Sequence, residues 1–215
     1  MTNPTDRMTP ERGRSYWERH ANRYDASTRI LARPIPRMLE LAVDAVRGRD
    51  RVLEVAAGTG LVTTALATAA GEVVATDYAD AMVVKLEQRV RDAGLTNVRC
   101  ERADLYALPY AAASFDAVVA ANVLHLVPDL EQAVAALARV VRPGGILIMP
   151  TYCHAETLLA GIVSRVVAVT GFPGRRRFGV KSLREAVERA GVRLRRAEVL
   201  GGVIPFGYID GTFGG

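Results

Sequence analysis

Arg51-Val-Leu-Glu-Val-Ala-Ala-Gly-Thr-Gly-Leu61 decides how the chain is read. An apolar run ends in the acid Glu54 and breaks into Gly58 and Gly60. Leu61, Ala65, Leu66 and Ala69 then recur at helical spacing. A strand, a tight glycine turn and a helix in that order build the phosphate- or nucleoside-binding corner of a doubly wound α/β sheet. Glycine suits that turn because the backbone must bend sharply and lie against a ligand with no Cβ in the way.

Working outward, the next strand is Glu72-Val-Val-Ala-Thr-Asp77, and Asp77 lies 17 residues past Gly60. Folds of this type place a ribose-binding carboxylate at about that distance. Asn97-Val-Arg-Cys-Glu101 leads into Asp104, and Ser114 to Asn122 reads as a fourth strand. Acids just past strands one, two and three all face the crevice where open α/β sheets bind ligands. Asp77 has a competing role as the cap of the helix beginning near Ala79, and Asp104 as a plain loop acid ahead of Pro109. A dinucleotide fingerprint requires a third glycine three residues after Gly60, where this chain has Thr63. The acid at the end of strand one also suits an ammonium better than a pyrophosphate.

Together, Glu54…Gly58-Thr-Gly60, Asp77, Ala103-Asp104, Phe115-Asp-Ala-Val-Val and Arg142-Pro-Gly-Gly-Ile-Leu-Ile resemble the class I S-adenosylmethionine-dependent methyltransferases. The resemblance is greatest to the branch with the ubiquinone/menaquinone C-methyltransferases and bacterial phospholipid N-methyltransferases, over roughly residues 50 to 150. It implies S-adenosyl-L-methionine as cofactor. Glu54 and the loop from Ala56 through Gly58 to Gly60 would hold its methionine end, and Asp77 the ribose hydroxyls. Tyr78 would pack on the adenine, Asp104 would accept from its amino group, and the Leu105 amide would meet the ring. Asn122 would contact the methionine part through its carbonyl, and Tyr24, ahead of Asp25, would touch the cofactor from an N-terminal lid. Where such chains often carry glycine this one has Ala56, which a backbone of negative φ accommodates.

The expected fold is a Rossmann-like, seven-stranded, mostly parallel sheet with helices on both faces and a closing C-terminal antiparallel hairpin. One domain fills the 215 residues. Residues 1–50 form a helical lid with helices at 10–25 and 34–47, 51–150 the cofactor core, and 151–215 the acceptor-side helices and closing strands. Strands are expected at 51–55, 73–76, 97–101, 115–121, 145–151, 193–200 and 203–209, and helices at 60–70, 79–93, 129–141, 155–170 and 182–190. Pro143-Gly144-Gly145 is read as the turn before strand five, and Ser182-Leu-Arg-Glu185 as a capping box.

Composition narrows the function. Residues 51–150 carry 8 Lys and Arg against 11 Asp and Glu, while the flanks are basic, 10 against 7 and 10 against 5. Arg175-Arg176-Arg177 is the densest cluster. It reads either as a solvated face or as the rim of a pocket for an anionic or lipid-like acceptor, with peripheral membrane contact. Few aromatics interleave with the arginines, so no nucleic-acid surface is expected. Three histidines and two cysteines give no metal spacing. No apolar run spans a bilayer and the N-terminus lacks a secretory core, so a cytoplasmic chain with reduced Cys100 and Cys153 is expected.

Methyl transfer needs alignment above all, and a base where the acceptor must lose a proton. His125 and His154, just past strands four and five, are the candidates, each with a hydrogen-bonded structural imidazole as its alternative. The acceptor atom, whether O, N, C or S, is not written in the sequence. Two other readings stand beside a methyltransferase for small organic acceptors. One is a phospholipid N-methyltransferase at a membrane surface, the other a non-catalytic S-adenosylmethionine- or nucleotide-binding protein.

Overall fold

A computed structural model describes residues 15–19, 33–161, 163 and 176–213. Five strands run parallel in the order β3-β2-β1-β4-β5: β1 (Arg51–Val55), β2 (Glu72–Asp77), β3 (Val98–Arg102), β4 (Phe115–Val119) and β5 (Val141–Ile148). In-register pairs such as Leu53↔Val74 and Leu53↔Val118 put β1 at the centre. Successive side chains on these strands are buried on opposite faces. Leu53, Val55, Val74, Val118 and Leu147 join one core with helices α4 (Leu130–Val140) and α5 (Val180–Arg189). Val52, Val73, Ala75, Ala117 and Ile146 join the other, with α1 (Ile35–Val46), α2 (Leu61–Leu66) and α3 (Asp80–Asp92). A sheet covered on both sides explains why its strands read as nearly continuous apolar runs.

The closing hairpin forms as expected, from β7 (Val192–Leu200) and β8 (Phe206–Phe213). Among the described residues, however, the sheet has eight strands rather than seven. Strand five was expected to run unbroken to 151, but it ends at Ile148 and a separate β6 (Thr151–Tyr152) follows in the same register on β8. Between them the Met149 N–H still bonds the Ile209 carbonyl at 2.8 Å, while the Pro150 carbonyl faces away from β8 and accepts from the Asn122 N–H. Pro143-Gly144-Gly145 is not a turn ahead of the strand either. Val141 already pairs with Phe115, and pairing returns at Ile146↔Ala117, so Arg142 to Gly145 bulge out of the ladder. Gly144 takes the positive φ of +73° that this excursion requires.

Helix α5 starts at Val180, two residues before the expected capping box. Ser182 sits inside its first turn, where its hydroxyl bonds both the N–H and the carbonyl of Gly179. The outer cap is Glu156, whose Oε2 accepts from the Val180 N–H at 2.7 Å. Gly191, at φ +90°, ends the helix as read from the sequence. Of the two expected N-terminal helices, α1 is present and 15–19 are helical, while the rest of 10–25 lies outside the described residues. Of the expected 155–170 helix, 155–157 are a turn and bend instead, 158–161 and 163 are helical, and the remaining residues lie outside those described.

Candidate cofactor and acceptor site

Glu54 closes β1 with its side chain 1% exposed. Its Oε2 accepts from the Thr63 hydroxyl at 2.5 Å. Burial pushes its pKa up to about 8, the Thr63 bond pulling down against it and nearby Asp77 pushing up. A buried carboxyl with one neutral donor beside it is an incomplete arrangement, and a ligand cation would complete it.

The turn after Glu54 is left-handed at three points: Ala56 (φ +52°), Gly58 (+57°) and Gly60 (+86°). The expectation that Ala56 keeps a negative φ is therefore wrong. Its carbonyl neighbourhood is fixed by the Ala57 N–H bonding the Thr76 carbonyl at 2.9 Å, which leaves Ala56 to absorb the bend. A Cβ at Gly60 would meet Leu86 Cδ1 at 2.7 Å, so this glycine also lets α3 come close.

Asp77, at the end of β2, accepts from the Gly58 N–H through Oδ2 at 2.8 Å and from the Ala79 N–H through Oδ1 at 3.0 Å. It thus ties the glycine turn to the start of α3, and serves the capping role weighed for it as well. Burial raises its pKa against the pull of these amides. Each oxygen retains a second lone pair for a ligand hydroxyl.

Tyr78 is half-buried, with the Arg102 guanidinium over its ring at 5.8 Å. Asp104 Oδ1 accepts from the Tyr106 N–H at 2.9 Å and opens a 3-10 turn, Leu105–Ala107. Leu105 packs partly on the core. Asn122 has φ +55°, its N–H bonds the Pro150 carbonyl at 2.6 Å, and its Oδ1 is buried without a hydrogen bond among the described residues. Tyr24 lies outside the described residues.

His125 and His154 come together, their ring centroids 5.6 Å apart. His125 is 1% exposed and its Nδ1 meets the Thr151 hydroxyl at 3.1 Å. Burial pushes its pKa down to about 3, with His154 adding to the shift. Burial also lowers the pKa of His154, with Arg177 contributing. The ordinary imidazole value does not hold here, and both rings are neutral at neutral pH. His154 Nδ1 is buried without a hydrogen-bond partner among the described residues.

Three contributors escaped the sequence reading. Thr63 was noted only as a missing glycine, although a polar residue on the buried face of a helix is itself a signal. Asp116, inside the Phe115-Asp-Ala-Val-Val motif, accepts from the Arg51 N–H at 2.9 Å and pairs with Arg142 at 2.7 Å, locking the base of β1 and β4. Glu18 accepts from the N–H groups of Asp80 and Ala81 at 2.8 and 3.1 Å, so it caps α3 from the N-terminal segment. Arg175 lies outside the described residues; Arg176 is half-buried and Arg177 exposed.

Carboxyls at the ends of β1, β2 and β3 around a left-handed turn define a nucleoside-binding site of the doubly wound class. A family described as a methyltransferase domain matches residues 53–149. The ubiquinone/menaquinone biosynthesis C-methyltransferase UbiE of Teredinibacter turnerae is 34% identical over 146 residues, 65% of this chain and 59% of that protein. The demethylmenaquinone methyltransferase of Thermus thermophilus is 34% identical over 153 residues, 68% of each chain. A solved DhpI-SAH complex is similar at a TM-score of 0.72 and 26% identity, over 94% of this chain and 95% of that one. The chain belongs to the class I S-adenosylmethionine-dependent methyltransferases. It spans 53 to 59% of the length of several UbiE-type relatives.

Proposed function

We propose that this chain transfers the methyl group of S-adenosyl-L-methionine to a small organic acceptor, and that the acceptor is a quinol-like ring. The observation that carries the reading is Glu54, fully buried at the floor of the left-handed turn with Asp77 beside it. When bound, the cofactor supplies an electrophilic methyl on a sulfonium. Glu54 and the Ala56–Gly60 turn hold its ammonium end, and Asp77 accepts from the ribose hydroxyls. Tyr78, Asp104 and Leu105 enclose the adenine, and Asn122 turns its carbonyl toward the methionine part. The quinol class is supported by relatives named for ubiquinone/menaquinone and demethylmenaquinone methylation.

Carbon methylation of a quinol ring requires loss of a proton, and a neutral imidazole is positioned to take it. His154 is taken as the better candidate because it is the less deeply buried of the two, 7% exposed against 1%, whereas the Thr151 contact fits His125 to a structural part. Residues 1–50 act as the lid and 151–215 as the acceptor side of the one domain. A cytoplasmic setting belongs to the same proposal, in keeping with the free thiols Cys100 and Cys153. No described helix is long and apolar enough to cross a membrane. The phospholipid reading draws little from the arginine cluster, because the Arg176 guanidinium is bonded to backbone carbonyls.

Incubation with methyl-deuterated S-adenosylmethionine and demethylmenaquinol, followed by mass spectrometry, tests this. The labelled methyl should replace one ring hydrogen of the quinol. Cofactor binding without label in the quinol would overturn the acceptor assignment.

A further inference from the structure

The two histidines sit on separate loops, after β4 and after β6, and the two segments meet where His125 Nδ1 contacts the Thr151 hydroxyl at 3.1 Å and the Asn122 N–H bonds the Pro150 carbonyl at 2.6 Å. A third segment grips both loops. The Arg176 N–H bonds the His125 carbonyl at 3.1 Å, its Nη1 bonds the Val127 carbonyl, and its Nη2 bonds the Pro128 carbonyl at 2.9 Å. Two residues on, the Phe178 carbonyl accepts from the Ala155 N–H at 2.9 Å, and the Val180 N–H bonds Glu156 at 2.7 Å. Residues 176–180 thus form a strap that grips the loop carrying His125 at one end and the loop carrying His154 at the other.

We propose that Arg176 is a positioning residue, holding the His125 loop at the spacing from His154 that the acceptor side requires. The inference rests on the reading above for its catalytic meaning, but not for its geometry. Only a planar guanidinium presents donors in a fork that reaches two adjacent carbonyls at once. A lysine keeps the charge but presents its donors from a single nitrogen, without the planar fork. Arg177, next in sequence, is exposed and lends only a Coulomb field to His154. A solvated cation and a structural clamp therefore stand side by side in what the sequence shows as one basic cluster.

Removing the fork frees the Val127 and Pro128 carbonyls and loosens the lid of chain over His125. Water then reaches a ring that faces Thr151 and His154, and His154 keeps Tyr152 and Arg177 near it. Long-range proton–nitrogen spectra of the full-length, nitrogen-15-labelled chain report tautomer and titration of each imidazole without needing an acceptor. Histidine-to-glutamine variants assign the signals.

In the parent the His125 ring should stay neutral between about pH 5 and 8. In Arg176→Gln the His125 nitrogen shifts should move and its pKa should rise by roughly one unit or more, as burial is relieved. Arg176→Lys should fall between the two, and Arg177→Gln should leave His125 unchanged. Should Arg176→Gln fail to fold in a melting curve, Arg176→Lys carries the comparison. Parent-like histidine shifts and titration in a folded Arg176 variant would overturn the proposal.

A second arm separates it from the acceptor reading. Arg176→Lys should lower kcat for demethylmenaquinol by tenfold or more while leaving S-adenosylhomocysteine affinity unchanged. A parent inactive on the quinol, with histidine signals that still answer to Arg176, refutes the acceptor and supports the strap.

Discussion

Ala56 stands in the left-handed region at φ +52°, where a Cβ crowds the following carbonyl. Ala56→Gly should therefore stabilise the ligand-free protein by roughly 0.5–1 kcal/mol, the strain relief exceeding the extra freedom of glycine in the unfolded chain. Chemical denaturation checks it, and a loss of stability would contradict the strained backbone. Glu54 makes a pH argument. Its folded pKa of about 8 lies above the unfolded carboxyl value, so its stabilising contribution is complete in acid and is lost as pH rises toward 8. A cofactor ammonium favours the ionised carboxylate, so binding should release a proton. S-adenosylhomocysteine affinity should then rise up to about tenfold per pH unit between roughly pH 6 and 8. Glu54→Gln should lose that slope along with most of the affinity. A pH-independent affinity in the parent would remove Glu54 from the ammonium.

Among the elements, α3 starts within one residue of its expected position, but Glu18's share in its cap was not foreseen. Its N-cap, Ala79, has no side chain to offer, and Asp77 covers only the Ala79 N–H. Glu18 supplies the rest from residues 15–19, where Trp17 also packs against Ala79 and Met82. That contact draws the N-terminal segment onto the turn bearing Asp77, and Glu18 adds to the upward push on the Asp77 pKa. Glu18→Ala should cost about 1 kcal/mol of stability through the lost cap. It should also speed proteolytic cleavage around residues 15–19, and S-adenosylhomocysteine should slow that cleavage in the parent more than in the variant. Equal protection in both would detach Glu18 from ligand binding. No sequence rule could have paired Glu18 with residues more than sixty positions away, since a cap from another segment leaves no local pattern.

Across the whole molecule, what the sequence made legible was what repeats locally. The parallel core, the two covered faces and the terminal hairpin follow from apolar runs, glycine turns and their order. The acids Glu54, Asp77 and Asp104 stand at the ends of their strands because a short motif fixes them there. Strand five was misread at its far end, where its partner β8 arrives some sixty residues later and leaves no local pattern. The double life of the arginine cluster was equally hidden, since Arg176 finds its carbonyls nearly fifty residues upstream. Everything in this account depends on the crevice at the strand ends accepting S-adenosylmethionine. Calorimetric titration with S-adenosylhomocysteine, set against NAD and repeated on Asp77→Ala, tests that directly. One site is expected for S-adenosylhomocysteine and none for NAD, with a loss of roughly 1–3 kcal/mol in the variant as charge-assisted hydrogen bonds to the ribose disappear. Binding of NAD in place of S-adenosylhomocysteine, or an affinity untouched by Asp77→Ala, would contradict it.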